Sequence, residues 1–187
     1  MIIICLPILR IRIIFMHMKR REPAFDMMDT AWCPYYLITR ASLAITALLK
    51  KAFVGAGISH VKPAYLGVLM GLWKEESLDE ALGKLGSPGG MKIADLGKRA
   101  GLEPSTMTGL IDRMERDGLV RREDDPGDRR AQIVRLTDEG SRVRTAAAAA
   151  VDAAFREAFG GLGAGAVEGI KDVLRQVLVN TERGIVE

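Results

Sequence analysis

The chain has 187 residues, 48% of them hydrophobic and 5% aromatic, enough for one domain with a real core. Two cysteines and two histidines argue against a disulfide framework and against a dedicated zinc site, which takes three or four convergent protein ligands; no cofactor is expected, and a reducing cytoplasm is the expected compartment. The net charge of +3 carries little information: the first 22 residues hold five basic side chains against one acidic, +4, which leaves −1 for the remainder. A nucleic-acid reading therefore rests on where the arginines stand, not on bulk charge.

Residues 1–26 open with an apolar run that stops at Leu9 and contains Pro7. It is too short to span a bilayer, and no charged region precedes it as a secretory signal requires, so no membrane partner is expected. These residues are read as belonging to no fold, with the true start at Met18, Met27 or Met28.

From Pro34 the pattern is helical. Leu37, Ile38, Ala41, Ala44, Ile45, Leu48, Leu49 and Ala52 recur at spacings of three and four, and Gly55 and Gly57 end this first helix. Pro63 opens a second, with Leu66, Leu69, Met70 and Trp73 inward; "KEESLDEALGKLGSPGG" follows as a charged stretch dissolving into a loop. Ile93, Leu96 and Ala100 make a short third helix closed by Gly101. Glu103-Pro104 starts a fourth, whose apolar set Met107, Leu110, Ile111 and Met114 ends at Gly118.

Leu119-Val120 and Ile133–Leu136 then flank Pro126-Gly127 as a hairpin, with Glu123 to Arg130 as a long outward loop. Thr137 caps a fifth, alanine-rich helix with Asp138 and Glu139 in its first turn, broken by Gly160, Gly161 and Gly163. A sixth carries Val167, Ile170, Val173, Leu174, Val177 and Leu178. The fold class is mainly α with a small β-hairpin.

Two short helices joined by a Gly-containing turn make a helix-turn-helix, whose second helix enters the major groove. At 100° per residue, Ser105, Gly109, Asp112 and Arg116 of the fourth helix fall opposite its apolar side, flanked by Thr106, Arg113 and Thr108. Hydroxyls bond phosphates or base edges, glycine permits close approach, and arginine forks onto guanine. A hairpin placed directly after such a pair makes a winged helix. Arg122, Asp128, Arg129 and Arg130 are its candidate DNA contacts, with the paired arginines reaching a narrow minor groove and Asp128 steadying a guanidinium.

"PSTMTGLIDRMERDGLV", "DDPGDRR" and the closing "LTDEG" resemble the DNA-binding core of the MarR (multiple antibiotic resistance regulator) family, over roughly Pro34 to Glu182. The resemblance implies a homodimeric winged helix-turn-helix transcription regulator, with 91–137 binding double-stranded DNA and 34–56 and 138–182 forming the dimer. Its operator would be near-palindromic, since two recognition helices lie about 34–36 Å apart. Many members release DNA when a small aromatic molecule binds, and Tyr36, Tyr65 and Trp73 are the candidate lining of such a pocket. "CPYYLITRA" and "PAYLGVLMGLW" are similar to the hydroperoxide-sensing branch, which makes Cys33 a candidate redox sensor with Tyr65 in reach across the dimer. Glu75 to Gly90 is longer than the family's usual connection, and Glu103 is a weaker cap than the common Ser or Asp.

The alternative reading is a winged helix that binds protein or RNA without operator recognition. An enzyme is not expected. The chain has no nucleophile elbow, P-loop, dinucleotide fingerprint or helix with two spaced histidines, so no catalytic residue is assigned.

Overall fold

The computed structural model describes residues 33–81, 90–125 and 127–183, with the side chains of 78–81, 129, 130, 182 and 183 outside that description. The expectation for residues 1–26 and the Gly-Ser-Pro-Gly segment before Gly90 lie outside the described residues. Residues 33–42 belong to one compact unit and 43–183 to a second, the division falling within the first helix.

Helix α1 spans Pro34–Gly55, with Pro34 at the position where a missing N–H costs nothing, and Gly57 (φ 73) turns the chain out of it. Only Leu49 and Phe53 of α1 are buried. Pro63–Tyr65 forms a 3₁₀ turn, and helix α2 proper runs Leu66–Ala81, three residues later than expected. Its buried side is Val68, Leu69, Leu72 and Trp73, whereas Met70, expected inward, is 57% exposed. "LGVLMGLW" is apolar on nearly every side, so periodicity alone could not choose the face.

A short strand follows that the sequence did not announce. β1, Gly90–Lys92, pairs antiparallel with β3 through Gly90↔Arg135, Met91↔Val134 and Lys92↔Ile133. A Cβ at Gly90 would stand 2.5 Å from Ile133 Cγ2 and 2.9 Å from Arg135 Cγ, so the pairing depends on glycine there. Helix α3, Ile93–Ala100, ends at Gly101 with φ 62. Helix α4, Pro104–Arg116, buries Met107, Leu110, Ile111 and Met114, the four positions expected, and Glu103 makes no side-chain cap bond. Gly118, at φ 74, ends the segment.

β2, Val120–Asp125, and β3, Asp128–Leu136, complete a three-stranded antiparallel sheet in the order β1-β3-β2. The long loop expected from Glu123 to Arg130 is mostly strand instead. Pairing runs from Val120↔Leu136 to Asp124↔Gln132, then jumps to Asp125↔Asp128. Charged residues alternate across the two solvated faces of a ribbon as readily as they populate a loop, which is why composition misled.

Thr137 caps the next helix as expected, its Oγ1 accepting from the Gly140 N–H at 3.0 Å. The single alanine-rich helix is in fact two, α5 (Asp138–Arg142) and α6 (Arg144–Ala158), hinged at buried Val143. Helix α7 spans Ala164–Arg183. Phe53, Leu69, Leu96, Met107, Met114, Leu119, Val134 and Ala147 share one core that joins α1, α2, α3, α4, the sheet and α6. Among the described residues no helix is long and apolar enough to cross a membrane.

Candidate nucleic-acid interface

With four side chains anchored in the core, α4 turns its opposite side outward. Ser105, Thr106, Thr108, Asp112, Arg113 and Arg116 are exposed and Gly109 is half-buried. Thr108 bends its hydroxyl back to Pro104 O (3.0 Å), and Arg116 Nε donates to Asp112 O at 3.3 Å. The Arg113 side chain makes no hydrogen bond or ion pair among the described residues, so its guanidinium donors face solvent.

Two contacts fix the far end of α4. Tyr65 donates its hydroxyl to Asp117 Oδ2 at 2.7 Å, and Thr137 Oγ1 donates to Gly118 O at 2.6 Å. Asp117 is a carboxylate at the negative end of a helix dipole, an unfavourable place that a donated proton offsets. Tyr65, expected to line an effector pocket, is a core residue at 3% exposure. Burial, then the Asp117 hydrogen bond and charge, push its hydroxyl up to about 12 from 10.0. Because the folded value is raised, the stabilisation is complete below pH 10 and disappears as pH rises toward 12. Tyr65→Phe should therefore cost about 1–2 kcal/mol at neutral pH. Chemical unfolding from pH 8 upward should also show a flatter alkaline decline than wild type, and parallel declines would remove the proposed link.

Arg122 corrects the sequence reading most sharply. It was expected to meet DNA, yet its side chain is 18% exposed and turned onto α4. Nη1 donates to Glu115 Oε2 (2.7 Å), Nη2 to Asp112 Oδ1 (2.5 Å) and to Thr108 O (3.4 Å), and the backbone N–H to Glu115 Oε1 (3.1 Å). The wing is thereby locked to α4. Asp112 is likewise engaged in this lock. On the other face of the ribbon Glu123 bridges Arg121 (2.8 Å) and Arg135 (2.7 Å), and these hydrogen bonds, that of Arg121 first, hold its carboxyl below the ordinary range. Asp128 opens β3 and Arg129 and Arg130 follow it in the strand.

Trp73 is buried and donates Nε1–H to Gly140 O at 2.9 Å. It also borders a groove of about 600 Å³ lined by Leu66, Met70, Lys74, Arg144, Val151 and Phe155, among others; Tyr65 does not line it. Tyr36 is an exposed residue of α1. Cys33 is a half-exposed free thiol just before that helix. Sequence reasoning missed Glu115 and Asp117, which hold the wing and the helix end: both lie within "PSTMTGLIDRMERDGLV", but the motif does not show that Arg122 and Tyr65 are their partners.

A core-anchored helix at the end of a helix-turn-helix, followed directly by a locked β-ribbon, defines a winged helix-turn-helix protein. The family model described as "MarR family" matches residues 80–131. YfiV, an HTH-type transcriptional regulator of Bacillus subtilis, is 27% identical over 123 residues, 64% of this chain and 71% of its own. Two solved structures superpose with a TM-score of 0.62. One is Sco3205 of Streptomyces coelicolor, a MarR family transcriptional regulator in complex with DNA, at 25% identity over 77% of this chain and 82% of its own. The other is CouR of Rhodococcus jostii RHA1 bound to p-coumaroyl-CoA, at 26% identity over 79% and 93%. Over residues 80–131 the chain is similar in sequence to the MarR family, and its fold is similar to that of solved MarR family regulators.

Proposed function

We propose that this protein is a sequence-specific double-stranded-DNA-binding transcription repressor that works as a homodimer and is released by a small aromatic ligand. The observation that carries the DNA reading is α4, buried through four side chains and presenting Ser105, Thr106 and Arg113 to solvent beside a wing held by Arg122. The DNA complex of its relative Sco3205 supports it. Arg113→Ala and Arg116→Ala should leave the fold intact, as both side chains lie off the apolar stripe. If either reads a base, operator affinity should fall by roughly 1–3 kcal/mol, with a smaller loss on random duplex. A gel shift on DNA upstream of its own coding region, run as a salt series, checks this; no specific binding by wild type would reject the reading.

Dimerisation is supported by the apolar surface of α7, where Val173, Val177 and Leu178 are 64%, 42% and 60% exposed. A stripe of that kind is seldom left in water by a monomer. Light scattering should return twice the chain mass, and a stable monomer of full operator affinity would refute the homodimer. The groove beside Trp73, apolar along Leu66, Met70, Val151 and Phe155 with Lys74, Arg144 and Asp152 at its border, suits a small aromatic ligand. The p-coumaroyl-CoA complex of CouR supports that class.

A further inference from the structure

The wing is tied down at its tip as well as along α4. Lys92 ends β1 and is the residue immediately before α3, with extended backbone at φ −61, ψ 143. Its ammonium meets Asp125 Oδ2 at 2.8 Å, although β3 lies between the two strands that carry them. Asp125 is the last residue of β2, and its side chain is only 10% exposed. Its other oxygen, Oδ1, accepts the Gly127 N–H at 2.8 Å, so one carboxylate both shapes the turn and docks it on the start of the helix-turn-helix. The hydrogen bond from Lys92, and after it that from Gly127, keep this carboxyl below the ordinary range despite burial.

The pairing register breaks at the same place. Asp124 pairs with Gln132 and Asp125 with Asp128, so Arg129, Arg130 and Ala131 are left opposite no β2 residue. A bulge of this kind bends the strand and re-aims what it carries. Its position is set by the Asp125↔Asp128 pair on one side and Asp124↔Gln132 on the other, and the first of these is held from outside the ribbon, by Lys92.

We infer that Lys92 and Asp125 are positioning residues for DNA recognition: their ion pair holds the wing tip against the start of α3 and thereby fixes the register shift that contains Arg129 and Arg130. The inference rests on the DNA-binding reading above. It makes a prediction whose sign separates it from simple electrostatics. Asp125 is a negative charge in a segment assigned to meet a polyanion, so as a bare charge its removal should tighten binding. As a positioning residue its removal weakens binding.

The test uses the full chain and fluorescence anisotropy with two probes, a duplex from upstream of its own coding region and a random duplex of equal length. Lys92→Met and Asp125→Asn should each weaken binding to the upstream duplex roughly tenfold, about the worth of one lost contact. Lys92→Arg should retain most of the affinity. Hydrogen exchange at the Gly127 and Asp128 amides should quicken in the two weakened variants, while the unfolding temperature stays close to that of wild type because neither residue belongs to the apolar core. Tighter or unchanged binding by Asp125→Asn, alongside a wild type that binds and an Arg113→Ala variant that does not bind as well, would overturn the positioning role alone. A wild type that prefers neither duplex would instead overturn the DNA-binding reading and this inference with it.

Discussion

Gly140→Ala is expected to destabilise the protein more than any other single added methyl group on the described glycines. A Cβ at this position would stand 2.0 Å from the carbonyl oxygen of Leu119 and 3.1 Å from its carbon, both backbone atoms, and 3.1 Å from Leu136 Cδ2. No rotamer change relieves a clash with backbone, so α5 would have to lift away from β2. That movement would break three contacts at once: the Thr137 cap on Gly140 N–H, the Thr137 N–H donation to Leu119 O at 3.1 Å, and the Trp73 indole bond to Gly140 O. The loss should exceed about 3 kcal/mol, a large part of the 5–15 kcal/mol that keeps an ordinary domain folded. Gly169→Ala is the control, since nothing lies within 4 Å of a Cβ there; it should be neutral or stabilise α7 by about 0.5–1 kcal/mol. Urea unfolding followed by circular dichroism compares them. Equal stability of Gly140→Ala and wild type would mean that α5 does not approach Leu119 this closely.

What could be read from the sequence was local. The four buried residues of α4, the Pro at its start and the left-handed Gly118 at its end all act within a few residues, and so does the Thr137 cap. β1 was illegible because three residues with a single buried side chain, Met91, have no periodicity; the strand exists because the free edge of β3 takes a partner, and glycine at position 90 lets it approach. Tyr65 was misread for a similar reason. An aromatic residue near the start of α2 looks like pocket lining until its partner is known, and Asp117 is 52 residues away. Arg122 stands among Arg121, Glu123 and Asp124, all charged; strand alternation puts Arg122 and Asp124 on one face and Arg121 and Glu123 on the other, and Arg122 reaches α4. Composition sees the charges but not the parity. The wing was therefore legible as a hairpin and illegible as a lock.

That lock carries the last prediction. Arg122→Ala should lower operator affinity about as much as losing a base-reading Arg113 or Arg116, although Arg122 itself faces the protein. Two effects add. The wing keeps only the backbone N–H bond of residue 122 to Glu115 in this lock, since the lost side chain bonded Glu115, Asp112 and the Thr108 carbonyl together, and its angle to α4 loosens. Asp112 and Glu115, now without their cation, also present uncovered negative charge on the recognition helix, where it repels phosphates. The combined loss should be about 2–3 kcal/mol, in the range for truncating one partner of a bonded charge pair at an interface. Folding stability should change far less, by about 1 kcal/mol or below, because Asp112 and Glu115 are well solvated, with side chains 52% and 39% exposed. Arg122→Lys should rescue only in part, as an ammonium cannot span three acceptors in a plane. Adding Asp112→Asn to Arg122→Ala should recover the repulsive share and leave the geometric one. Salt separates them further, since repulsion between solvated charges fades above a few tenths molar while a misplaced wing stays misplaced. Anisotropy titrations across a salt series read both shares. A folded Arg122→Ala protein that binds the operator as tightly as wild type would show that the wing keeps its angle without this side chain, and the recognition helix would then have to work alone.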